Sequence, residues 1–193
     1  MCQVPGIHLN TASVNGYTAA MHAVVANKLD TVLVLREFDG VDWNSKDLLG
    51  FSAIMIAVKC LYLDILEILL AVPDIDVNCY NKDGKDLAEI AIEIAIDRQS
   101  VFVNANGKQI VNDNLTVKCI EMLSKETRVN WNNKNVNGET PVVSVVRENN
   151  VELAKILLQV PSVDIEITSK DGSSLEQIAR YVQSQRNSFN NNH

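Results

Sequence analysis

Three histidines and four cysteines are the side chains of this 193-residue chain best suited to nucleophilic, acid–base or metal chemistry. Their placement gives none of these a site. His8 lies near the start, His22 a little further on and His193 at the far end, and no His-Glu-x-x-His occurs. Cys2, Cys60, Cys79 and Cys119 are 58, 19 and 40 residues apart, without a Cys-x-x-Cys pair. Gly-x-Ser-x-Gly and glycine-rich phosphate loops are also missing. Glu89 and Glu93 would put two carboxylates on one helical face, a pattern that fits a solvated acidic stripe. His22 reads as a structural histidine, and Cys60 and Cys119 as small packing residues. A non-enzymatic chain with no cofactor and no metal is expected.

Composition narrows the classes further. The chain is 47% hydrophobic, 21% charged and only 5% aromatic, so its core must be built from Ala, Val, Ile and Leu. Seventeen basic against 24 acidic side chains leave a formal charge of -7. That is the wrong sign for a nucleic-acid backbone and for adhesion to an anionic membrane. No apolar run approaches the roughly 20 residues that span a bilayer, and the first residues lack the zones of a signal peptide. The cysteine pattern fits free, reduced thiols and an intracellular address in cytoplasm or nucleus, although four cysteines also allow a secreted two-bridge framework. Asn114-Leu115-Thr116 spells a glycosylation sequon, which means little without export.

The elements that carry these residues repeat. Gly16, Gly50 and Gly84 are 34 residues apart, as are Gly138 and Gly172, and the gap from Gly84 to Gly138 is 54, one period plus 20. Thr18 to Ala23, Ser52 to Ala57 and Thr140 to Val145 align after their glycines. Leu69 to Asn78 matches Leu157 to Glu166, and Asp42-Trp43-Asn44 matches Asn130-Trp131-Asn132. Val4 to Asn10 lies two periods before Val72 to Asn78. Each unit reads as turn, helix, short loop, helix, long loop. Thr140 followed by Pro141 signals a helix start, with the hydroxyl expected to cap free amides. Asn27 and Asn149 fall where a left-handed residue should close the first helix, and Leu61 departs from that pattern. Thr31 to Leu35 and Glu89 to Ile96 have strand-like composition, but the repeat register assigns both to helices. One unit cannot bury its apolar face alone, so neighbours must stack.

These motifs resemble the ankyrin-repeat family over nearly the whole chain, about Val4 to Arg186. The Thr-Pro-Leu-His-x-Ala element corresponds to residues 18–23, 52–57 and 140–145, and the Asp-Val-Asn element to 42–44, 76–78 and 130–132. The third unit departs most, with Asp86 to Ala91 in place of the first element. The resemblance implies an all-α ankyrin-repeat solenoid. It would be a single domain over 1–186: a partial repeat at 1–15, full repeats at 16–49, 50–83, 84–137 and 138–171, and a cap at 172–186. Residues 187–193 read as a disordered tail. Ser173 with Glu176 spells a capping box, and Leu175, Ile178, Ala179 and Val182 form the cap's apolar stripe. The 20 extra residues fall at about 97–114, where β-rich runs flank Asn106-Gly107; a β-hairpin is expected, with a mobile loop as the alternative. At the other end two helices are missing from the first partial repeat. Either the chain is cut from a longer array, or Val4, Ile7 and Leu9 fold back as a cover.

Function, on this resemblance, is protein–protein interaction through turn tips and the exposed face of the first helices. The matching positions include Val14, Asn15 and Tyr17, then Leu48, Leu49, Phe51 and Lys59. Further along they include Lys82, Lys85 and Arg147, with Val136 on the fourth turn. Tyr17, Leu48, Leu49 and Phe51 are apolar where water is expected, which is the composition of a binding hot spot, unless they fold over neighbouring turns. Lys46, Lys82, Lys134 and Lys170 recur along the turns, either as solvated decoration or as a contact for an acidic peptide. Trp43 and Trp131 are expected to fill space between loops. The alternative function is a structural segment that self-associates through its N-terminal face.

Overall fold

The computed structural model describes residues 8–99, 114–169 and 171–190. The chain forms two compact units, Met1–Leu87 and Ala88–His193. The described residues of each are helical, apart from turns and one isolated bridge between Thr168 and Ser174.

The first unit holds two helix pairs, α1 (Ala19–Val25) with α2 (Leu29–Arg36) and α3 (Ala53–Cys60) with α4 (Leu63–Leu70). The pairs stack like on like, α1 against α3 and α2 against α4. Thr18 starts α1 by accepting the Met21 N–H at 3.3 Å. The pair is closed by Asn27 at φ 51°, where the Lys28 N–H reaches back to the Ala23 carbonyl at 2.9 Å, a Schellman turn. Leu61 makes the same turn at φ 56°, with Tyr62 N–H bonded to Ala57. A leucine there costs about 1–2 kcal/mol in the left-handed region. Burial offsets that cost: Leu61 is 7% exposed, and sinking a leucine is worth about 2 kcal/mol. The core is aliphatic, with Met21, Val24, Ile54, Met55, Ile65, Leu66 and Leu69 fully covered. Thr31 to Leu35 lies inside α2 despite its strand-like composition.

Loops join the pairs through asparagine. The Asn10 side-chain amide donates to the Gly40 carbonyl and its Oδ1 accepts from Asp42 N–H, both at 2.8 Å. Asn44 does the same to Asp74 (2.7 Å) and Asp76 (2.9 Å). Each bridge spans about one period and serves two backbone groups that a loop would otherwise leave to water.

The second unit contains α5 (Leu87–Gln99), α6 (Asn114–Lys125), α7 (Pro141–Arg147), α8 (Val151–Leu157) and α9 (Leu175–Asn190). Helix α7 packs on both α8 and α9, and α6 packs on α8. Glu89 to Ile96 is helical, as the repeat register requires. The asparagine bridge recurs from Asn132 to Ser162 (2.6 Å) and Asp164 (2.8 Å). Trp131 is buried, as is Trp43 in the first unit.

Four local expectations need correction. Thr140 precedes α7 with Pro141 in its first turn, but its hydroxyl caps nothing and lies buried without a partner. The cap at the start of α8 comes from Asn150, whose side chain accepts from Leu153 N–H. The capping box of α9 sits one residue later than expected: Gln177 N–H donates to Ser174 Oγ, and Ser174 N–H to Gln177 Oε1. Ser173 is unavailable because its N–H, which a capping box would use, already donates to the Asp171 carboxylate. Helix α9 then runs to Asn190, into the stretch expected as a tail, since residues 175–190 contain no Pro or Gly to stop it. On its apolar stripe Ile178 is buried, whereas Ala179 is exposed. Of the insertion expected as a hairpin at 97–114, residues 97–99 belong to α5 and Asn114 opens α6. The stretch between them lies outside the described residues.

The tight stacking of turns generates a stability prediction. Gly50 has φ +82°, and a Cβ there would sit 2.7 Å from the Lys82 backbone nitrogen; Gly40 has φ +89° with nothing within 4 Å. Gly40→Ala is expected to cost about 1 kcal/mol from backbone strain alone. Gly50→Ala should cost at least about twice that, because a backbone neighbour must also move. Urea unfolding of the two variants checks this, and equal midpoints would contradict it.

Candidate functional site

Five turns share one construction. Residue i donates its N–H to the carbonyl of i+4, and a left-handed glycine at i+3 donates back to the carbonyl of i. This holds for Ser13–Tyr17, Asp47–Phe51, Asn81–Lys85, Asn135–Glu139 and Ser169–Ser173. In the middle three turns the side chain of residue i completes the frame. Asp47 Oδ1 accepts from Leu49 N–H and Phe51 N–H, each at 2.8 Å. Asn81 Oδ1 accepts from Asp83 and Lys85, and Asn135 Oδ1 from Asn137 and Glu139. The fifth turn uses Ser169, whose hydroxyl donates to Asp171 and holds that carboxyl below its ordinary range. The turn motif could have been read from the sequence: a Ser, Asp or Asn stands three residues before every one of these glycines.

In the first unit the turns are also tied to one another. Leu48 N–H donates to the Asn15 carbonyl at 3.3 Å, and Lys82 N–H to the Leu49 carbonyl at 2.9 Å. Leu48 N–H, Leu49 C=O and Asn15 C=O are thereby occupied, and the side chains between glycine and frame residue are turned outward. Val14 is 92% exposed, Leu48 58% and Leu49 61%; on the fourth turn, in the second unit, Val136 is 80% exposed.

Other expected contact residues are engaged within the protein. Phe51 is 8% exposed rather than water-facing, because its backbone is drawn under the turn by Asp47 and the Lys59 ammonium sits 4.4 Å above its ring. Lys59 itself is exposed. Tyr17 is half-buried, its ring tilted against that of the exposed His22 at 5.4 Å. His22 is therefore a surface histidine, not a core one. Asn15 and Lys82 are exposed and Lys85 is half-buried. Arg147 is exposed in the second unit and paired with Glu139, whose other oxygen accepts from Ser144. The pairs Phe51–Lys59 and Glu139–Arg147 fill the same register positions. Of the ten expected residues, those exposed together in the first unit are Val14, Asn15, Leu48, Leu49, Lys59 and Lys82.

Thiol chemistry is suppressed by packing. Burial pushes the Cys119 thiol up to about 12 and raises that of Cys79 despite the Ser52 hydroxyl beside it. Cys60 is exposed, in contrast to its expected packing role. Among the described residues no three His, Cys, Asp or Glu side chains gather as a metal site, and no helix is long and apolar enough to cross a membrane.

Residues 3–81 match the family model described as ankyrin repeats, three copies. No curated protein significantly matches the sequence. The crystal structure of EF0377, an ankyrin repeat protein, is similar with a TM-score of 0.63 and 17% identity, over 80% of this chain and 69% of that one. A chain from the complex of the predatory endopeptidase Bd0816 of Bdellovibrio bacteriovorus with immunity protein Bd3460 gives a TM-score of 0.61 at 22% identity, over 94% of this chain and 82% of that one. At such identities the likeness is one of fold.

The thiols should sort by burial. In a Cys2→Ser background at pH 8, Cys60 is expected to react with Ellman's reagent within minutes. Cys119, with a thiolate fraction of about one in 10,000, should wait for unfolding. Labelling followed by peptide mapping reads this, and rapid native labelling of Cys119 would contradict the packing.

Proposed function

We propose that the chain, whose residues 3–81 match ankyrin repeats, is a non-enzymatic binding module whose protein partner rests on the turn tips of the first unit. The observation that carries this is the exposure of Val14, Leu48 and Leu49 on turns held by hydrogen bonds within and between them. A tip fixed in this way loses little entropy on binding, so apolar contact converts efficiently into affinity. Ankyrin repeats in general are protein-interaction modules, and one of the similar structures is itself a complex of two proteins. The free thiols Cys60, Cys79 and Cys119 fit a reducing, intracellular setting.

A second reading, self-association, draws on the outer side of the first helix pair. Thr31, Val34 and Phe38 are exposed and Leu35 half-exposed, at helical spacing. One period later Ile65 and Leu69 are buried, in a helix pair that does have a neighbour on that side.

Two measurements separate these readings. Affinity capture with the wild type and with Leu48→Ser/Leu49→Ser is expected to lose the same proteins from the variant, while circular dichroism stays unchanged. Retention of every captured protein would remove the tips from the reading. Light scattering should show a monomer at micromolar concentration; a dimer dissolved by Val34→Glu/Phe38→Glu would favour self-association instead.

A further inference from the structure

We infer that the tip surface of the first unit takes an acidic protein segment, one with leucine-like side chains flanked by carboxylates. This deepens the binding reading above and rests on it. The chain as a whole is acidic, with a formal charge of -7. Around Leu48 and Leu49 the sign reverses. Lys46 stands two residues before Leu48, exposed, with its ammonium on the Tyr80 carbonyl at 2.8 Å. Lys59 holds its charge over the Phe51 ring, two residues past Leu49. Lys82 is exposed and bonded through its backbone to Leu49.

The acids nearby do not cancel this. Asp47 is 8% exposed and spends its carboxylate on two backbone N–H groups of the turn. Asp86 is 3% exposed. Asp42 and Asp76 are exposed on the Lys46 side, and each gives one carboxylate oxygen to a backbone N–H of its own loop, at Asn44 and Asn78. On the two turns that carry the leucines and their lysines, Asp83, next to Lys82, is the exposed carboxylate. The main chain adds to the specificity. Leu48 N–H, Leu49 N–H and Leu49 C=O are all taken, so a partner cannot dock here by adding a strand through these groups. It must be read by side chains, through apolar burial on Leu48 and Leu49 and charge attraction to the lysines. Complementary charge of this kind speeds encounter and rejects basic competitors.

The test uses the full chain and fluorescein-labelled synthetic peptides with a central Leu-Leu pair and flanks of all Glu, all Gln or all Lys, read by fluorescence anisotropy. The Glu peptide is expected to bind about tenfold tighter than the Gln peptide and the Lys peptide not at all. Raising salt from about 50 mM to about 500 mM should remove most of that advantage. Lys82→Gln and Lys46→Gln should each weaken the Glu peptide about twofold to fivefold and leave the Gln peptide unchanged. Equal binding of the three peptides, or binding of none, overturns the inference. So does stronger retention on phosphatidylserine vesicles than on the Glu peptide with the same lysine dependence, which would make a membrane the occupant. If captured partners are lost with Leu48→Ser/Leu49→Ser but their binding is indifferent to salt and to the lysines, the tip reading survives and only the acidic partner falls.

Discussion

The interaction on which the rest depends is a side-chain amide that substitutes for a backbone. Asn10, Asn44 and Asn132 each give one hydrogen bond to a carbonyl and take one from an N–H in the loop about one period ahead. Asparagine alone suits this role at that length, having a donor and an acceptor on one short planar group. Each bond is worth only about 1 kcal/mol net, but the bridges set the spacing at which successive helix pairs meet. With that spacing fixed, small residues such as Ala20, Ala23, Ala53 and Ala57 can let backbones approach, and Val, Ile and Leu fill what remains.

The same spacing makes glycine obligatory in the turns. Gly16 and Gly50 are left-handed, and in both a Cβ would run into the backbone of the next turn at under 3 Å. Close approach and positive φ are separate demands that coincide at one residue. What they secure is a turn held to the next by backbone hydrogen bonds, with two side chains left outside on each tip, Val14 and Asn15 or Leu48 and Leu49.

Within this frame the repeats differ at the first helix of the pair. The positions eight residues apart that carry Phe51 and Lys59 in the second repeat carry Glu139 and Arg147 in the fourth. Both solutions hold a cation in the last turn of the first helix, one by a ring and one by a carboxylate. Leu61 shows a similar trade between local and global terms: its left-handed backbone is unfavourable by itself and is held because the side chain is buried.

The period of 34, the helix pairs, the left-handed asparagines and the assignment of α2 and α5 as helices were all legible from residue identities, because five aligned segments outweigh the propensity of any one. The exposed valine and leucines of the tips were legible too, since a glycine at a fixed register marks the outermost point of each turn. Burial of Phe51 was not, because it depends on Lys59 returning over the ring and on Asp47 closing the turn beneath it. Nor was the shift of the α9 capping box from Ser173 to Ser174: two adjacent serines are equivalent by spelling, and the bond from Ser173 N–H to Asp171 leaves Ser174 to pair with Gln177. Sequence alone settled what repeats, since repetition is a property of order along the chain. Which side chains remain free at the surface was decided by tertiary structure, because that depends on neighbours brought close only when the turns stack.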